Sequence, residues 1–109
     1  MDTAVNMQGD VQVQDDGTWS YTWQWYYSGT ESFSDVHEEF VLTDSSGLIL
    51  DFKAEASHGT ESGQTYIGGG WGNQKIRGGT VNWSLRVIQG DGYLGTTGGS
   101  FTAMVPSDN

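Results

Sequence analysis

The sequence predicts an all-β protein, an antiparallel β-sandwich of immunoglobulin-like or jelly-roll-like type, on three observations. In "WSYTWQWYY", Trp19 to Tyr27, every odd-numbered residue is Trp or Tyr, and the even positions are Ser20, Thr22, Gln24 and Tyr26. That period of two belongs to a strand. No segment sustains a 3.6-residue period, and seventeen glycines would interrupt any helix. Turn signals also recur about every ten residues, the rhythm of a sandwich or small barrel.

Each element follows from local pattern. Val11 and Val13 alternate with Gln12 and Gln14, and Asp15-Asp16-Gly17 turns the chain into the aromatic strand, giving a hairpin. "SGTES" breaks the chain before a strand near Val36–Leu42. There Glu38 shares a face with Val36, Phe40 and Leu42, which predicts a bulge or a sheet edge. Asp44–Gly47 is the next turn. It leads into a half-buried strand with Leu48, Leu50, Phe52, Ala54 and Ala56 inward and Ile49, Asp51, Lys53 and Glu55 outward. "SHGTESGQ" reads as a loop, "TYIG" as a short strand and "GGGWGNQ" as a flexible loop. Val81, Trp83, Leu85 and Val87 alternate along another strand. "GDG" at Gly90–Gly92 turns the chain, and Phe101, Ala103 and Val105 form a last strand ended by Pro106.

The 109 residues form one domain, ordered from about residue 10 to 106 with frayed termini. Val, Ile, Leu and Phe number only 21, so the five Trp and five Tyr must supply much of the core. The formal charge of -10, with only four Lys and Arg, argues against nucleic acid and against an anionic membrane surface. With no cysteine there is no disulfide, thiolate metal site or thiol redox chemistry. No apolar run approaches a membrane span, so membrane insertion is not expected. Few lysines and many Gly, Ser, Thr, Trp and Tyr lean toward a secreted or extracellular protein.

The row from Trp19 to Tyr27 covers about 27 Å, longer than the roughly 17–20 Å of an ordinary strand. The sequence therefore predicts Tyr21 and Trp23 in the core, Trp19 plugging one end, and Trp25 and Tyr27 at the opposite rim. Tyr26 lies on the polar face. Trp71, set among glycines, and Tyr93, just past the "GDG" turn, are further exposed candidates. Planar rings stack on sugars, and neighbouring Asp and Asn can accept hydroxyl hydrogen bonds. Trp25, Tyr26, Tyr27, Trp71 and Tyr93 are thus the expected ligand-binding residues.

Catalytic signatures are missing, and an enzyme is not expected. Glu38 and Glu39 are adjacent, so on a strand they face opposite ways and cannot act as a pair. His37 and Glu39 share a face, and His58 could join them on a metal, but the spacing is that of any alternating strand. No metal site is predicted; a turn aspartate holding calcium is the weak exception. "GGGWG" lacks the ending of a phosphate loop, and no nucleophile elbow occurs.

"GTW" resembles the Gly-x-Trp opening of calycin barrels such as lipocalins and avidins, and "VNWSLRVIQGDG" is similar to a late avidin strand. That resemblance implies the alternative fold, a small β-barrel carrying an apolar ligand. Residues 28 to 56, with "TDSSGLIL", resemble immunoglobulin-like modules and imply the sandwich. The expected function is a non-catalytic module binding a carbohydrate or other extended ligand. The alternative is a structural domain that self-associates or meets a protein partner.

Overall fold

The computed structural model describes residues 4–73, 76 and 79–103. Among them are eight strands: β1 (Val5–Val13), β2 (Trp19–Tyr27), β3 (Phe33–Thr43), β4 (Ile49–Ala54), β5 (His58–Thr60), β6 (Thr65–Gly72), β7 (Gly79–Gln89) and β8 (Gly92–Ala103). They build two antiparallel sheets packed face to face. One has the order β1-β2-β6; the other has the order β4-β3-β7-β8, with β5 also paired to β3. This is the predicted sandwich. The sheets do not close on each other, which overturns the calycin-like barrel.

The hairpin of β1 and β2 forms in unbroken register from Val5↔Tyr27 to Val13↔Trp19. Its turn works as the sequence implies. The Asp16 carboxylate accepts from the Thr18 N–H and hydroxyl, and Gly17 takes the positive φ of 89° that a side chain disfavours. Asp44 organises the next turn by accepting from the N–H groups of Ser46 and Leu48, ahead of Gly47 at the same φ. The first strand begins at Val5, earlier than its Val11–Val13 pattern indicated, because Gly9 interrupts the apolar row that Val5 and Met7 begin. Val105, Pro106 and the "SDN" ending lie outside the described residues.

The core corrects the expected rim. All five odd-numbered aromatics of β2 are buried, with Trp25 fully enclosed and Tyr27 only 3% exposed. The sandwich is as long as the aromatic row: β3 and β7 each run 11 residues opposite it. Tyr66 stacks on Trp25 with centroids 4.6 Å apart, and Phe33 covers Tyr27 at 5.9 Å. Tyr21 lies flat on Phe40 at 3.9 Å, and Trp83 continues that stack at 5.9 Å.

"GGGWGNQ" is not a flexible loop; its first residues are the second half of β6. The register pairs Trp23 with Gly68, Tyr21 with Gly70 and Trp19 with Gly72. Each large ring lies over its glycine partner, and a Cβ at Gly68 or Gly72 would fall inside the indole it faces. Glycine here is a matter of volume. "SHGT" likewise contains β5 and is not purely a loop.

Strand β4 begins with the expected facing, Ile49 outward and Leu50 against the core, and a register shift opposite Leu42/Thr43 reverses it from Asp51 to Ala54. Lys53 pairs with Phe40 and Asp51 with Leu42, both inward positions of β3, so Phe52 and Ala54 face outward. The cause is chemical. β4 is an edge strand, and its inward polar groups find partners across the sandwich: Tyr21 Oη donates to Asp51 Oδ2 at 2.8 Å and Lys53 Nζ to the Gly69 carbonyl at 2.9 Å. Burial, reinforced by the Asp51 hydrogen bond and charge, raises the Tyr21 phenol above its ordinary pKa.

Candidate functional site

Residues directly opposite in an antiparallel ladder share a face, so the registers define the outer surface of the three-stranded sheet. Across it, Asn6, Tyr26 and Thr65 form one line; Gln8, Gln24 and Ile67 a second; Asp10, Thr22 and Gly69 a third; and Gln12, Ser20 and Trp71 a fourth. Trp71 and Ile67 are each 73% exposed and Tyr26 43%. Gly69 leaves a gap between the two apolar side chains of β6. Trp71 and Tyr26 stand six residues apart along the ladder, about 20 Å.

The centre of this face is polar and concave. Gln8, Asp10, Thr22, Gln24 and Ile67 border a depression of about 200 Å³. A second of about 120 Å³ is bordered by Asp10, Gln12, Ser20 and Thr22. The two share Asp10 and Thr22 and so form one trough along β1 and β2. Gln12 donates to Asp10 at 3.3 Å, which orients the carboxylate within it. The surface offers amide donors and acceptors, hydroxyls and one acid, with flat apolar contacts beside them.

The expected binding residues therefore separate. Tyr26 and Trp71 share the outer face of the smaller sheet. Tyr93 is exposed but pairs with Ile88 on the outer face of the other sheet. Trp25 and Tyr27 are core and cannot reach a ligand on the surface. Gln8, Asp10, Thr22 and Gln24 were not singled out from sequence, since alternating polar residues on a strand mark an exposed face and nothing more.

A second polar feature lies where the edges of β6 and β4 meet. The parity of β3 does place Glu38 inward, yet β3 is neither bulged there nor an edge, because it pairs with β7 continuously from Val36 to Thr43 and its other side carries β4 and β5, with the Glu55 N–H donating to the Glu38 carbonyl. Glu38 is 2% exposed and is held instead by two donors on one oxygen. Trp25 Nε1 and His58 Nε2 both lie 2.7 Å from Glu38 Oε2. His58 Nδ1 is 2.9 Å from the Gly59 carbonyl, which can only accept, so Nδ1 carries hydrogen. The ring thus lies between a carbonyl and an acid, surroundings that favour its charged form. Burial works against that charge. The hydrogen bonds to Gly59 and Glu38 and the charge of Glu38 outweigh it and raise the His58 pKa.

His37 and Glu39 form a separate pair at 3.2 Å on the opposite face of β3. His58 therefore does not join them, and among the described residues no His, Asp and Glu group is arranged to hold a metal ion. Glu38 and Glu39 face opposite ways, as strand geometry requires.

No family model matches the chain, and no curated protein matches it. Among solved structures, it is similar to the X-ray structure of the Northeast Structural Genomics Consortium target SoR45, with a TM-score of 0.54 over 97% of this chain and 90% of that one. At 13% identity the likeness extends to the fold alone.

Proposed function

We propose that this protein is a non-catalytic carbohydrate-binding module whose ligand lies along the outer face of the β1-β2-β6 sheet. The observation that carries the reading is the exposed indole of Trp71 beside a trough of amides, hydroxyls and one carboxylate on a regular sheet. A monomer gains nothing from holding a large flat ring in water, and such a ring is a stacking surface for a pyranose. Gln8, Gln24 and Asp10 would fix orientation by hydrogen bonds to hydroxyls, while Trp71 and Tyr26 would set the span. Titrating Trp71→Ala with soluble oligosaccharides tests this: binding is lost while the melting temperature stays within a degree or two.

A second reading rests on a different surface. Leu48, Ile49 and Phe52 are each more than half exposed on or beside β4, and Phe52 sits opposite Val41 on the outer face of the larger sheet. That patch supports self-association or a protein partner. Sedimentation over a wide concentration range separates the readings, because a patch-driven dimer dissociates on dilution and in Phe52→Ser.

A further inference from the structure

The cleft beside Glu38 has chemistry that the sheet face does not account for. It holds about 230 Å³ and is lined by Trp23, Glu38, Glu55, Ala56, His58, Tyr66 and Ile67. Two bridges bound it. Lys53 reaches the Gly69 carbonyl on one side, and Tyr66 Oη donates to the Gly59 carbonyl at 3.0 Å on the other. Between them the two sheets part, and the edge of β6 faces the connection between β4 and β5.

Three features make this a built polar site. Both donors to Glu38 fall on Oε2, so among the described residues Oε1 has no protein donor although the residue is almost wholly buried. Oε1 is not sealed from solvent, so it opens on the cleft as an acceptor for a ligand hydroxyl. The main chain supplies further groups. Gln64 bonds to Tyr27, so the even residues of β6 point their backbone at β2 and the odd residues point theirs at the free edge. The Ile67 N–H and carbonyl therefore face the cleft. Each acid has a basic neighbour: Glu38 meets His58 at 2.7 Å, and Glu55 meets Lys53 at 3.4 Å. A cleft with donors and acceptors side by side and each acid paired suits hydroxyls better than an ion.

Size narrows the occupant. At about 30 Å³ per water the cleft displaces roughly eight waters, and it lies below the roughly 300 Å³ at which whole ligands are usually housed. It has room for one sugar ring and not for a chain. Ile67 borders both this cleft and the trough on the sheet face. We infer that the cleft is a subsite for a single neutral pyranose unit carried as a side branch, so that the ligand is a branched neutral polysaccharide. Its backbone lies on the β1-β2-β6 face and its branch turns around the β6 edge at Ile67. The inference rests on the carbohydrate reading of that face and adds the branch.

The test compares linear cello-oligosaccharides with xylose-branched oligosaccharides of the same backbone length, by isothermal titration of the full chain. Branched ligand is expected to bind about tenfold or more tightly. Ala56→Trp, which fills the mouth of the cleft from an exposed position, should bring branched ligand down to the linear level and leave linear binding unchanged. Trp71→Ala should weaken both. Equal affinity for the two ligands, or an Ala56→Trp variant that still prefers the branch, overturns the subsite while leaving the sheet-face reading intact. A glucosamine oligomer binding more tightly than either overturns the neutral assignment. Silence of every oligosaccharide overturns both readings.

Discussion

Trp25 Nε1 donates to Glu38 Oε2 across 2.7 Å, joining the middle of one sheet to the middle of the other through a fully buried indole and a buried carboxylate. The same oxygen meets His58 Nε2, so one acid links β2, β3 and β5. Without these donors, burying Glu38 against the aromatic core at the base of the cleft would cost several kcal/mol.

Removing His58 leaves that acid with one donor. His58→Ala is expected to cost about 1–3 kcal/mol, the order of a hydrogen bond to a charged group whose partner is partly exposed. Glu38→Gln, which keeps an acceptor for Trp25, should cost less. Chemical denaturation of both variants and of the double variant measures the coupling, which should exceed 1 kcal/mol for groups this close.

Stability should depend on pH through the same pair. Glu38 faces His58 from β3, Glu55 from the β4–β5 connection and Tyr66 from β6. A His58 pKa raised on folding means its contribution is complete below the unfolded value of about 6.5 and is lost as pH rises through the folded value. Melting temperature should therefore fall from mildly acidic to mildly alkaline solution. His58→Gln should flatten that slope; an unchanged slope would assign it to groups other than His58.

The glycines of β6 should tolerate nothing larger. Gly68→Ala or Gly70→Ala places a methyl group against Trp23 or Tyr21 and is expected to destabilise by about 1–3 kcal/mol through overpacking. Gly63→Ala, at a turn with a φ of 88° and open space around it, tests backbone strain alone and should cost less than the Gly68 change.

What was legible in the sequence follows the physics of each element. The β1–β2 turn and the Asp44–Gly47 turn could be read because Asp and Gly act locally. The aromatic row could be read as a strand from its parity. Its depth could not, since burial of Trp25 and Tyr27 depends on Phe33, His58 and Tyr66, which arrive from distant strands. Strand β4 misled because alternating Leu, Phe and Ala imitate a core face, while the partners of Asp51 and Lys53 lie on β2 and β6. Trp71 and Tyr26 were visible as surface candidates. The trough between them needed the register of three strands, and the Glu38 cleft needed the meeting of two sheet edges.

In the proposed function Trp71 is the contact residue and the indole of Trp25 is structure. The most direct measurement follows the five tryptophan Nε1–H resonances by NMR during titration with oligosaccharides. The Trp71 signal is expected to shift with ligand, while the Trp25 signal, bonded to Glu38, stays in place and exchanges slowly with solvent. Binding that leaves Trp71 unmoved, or a panel that moves no indole at all, would contradict that function.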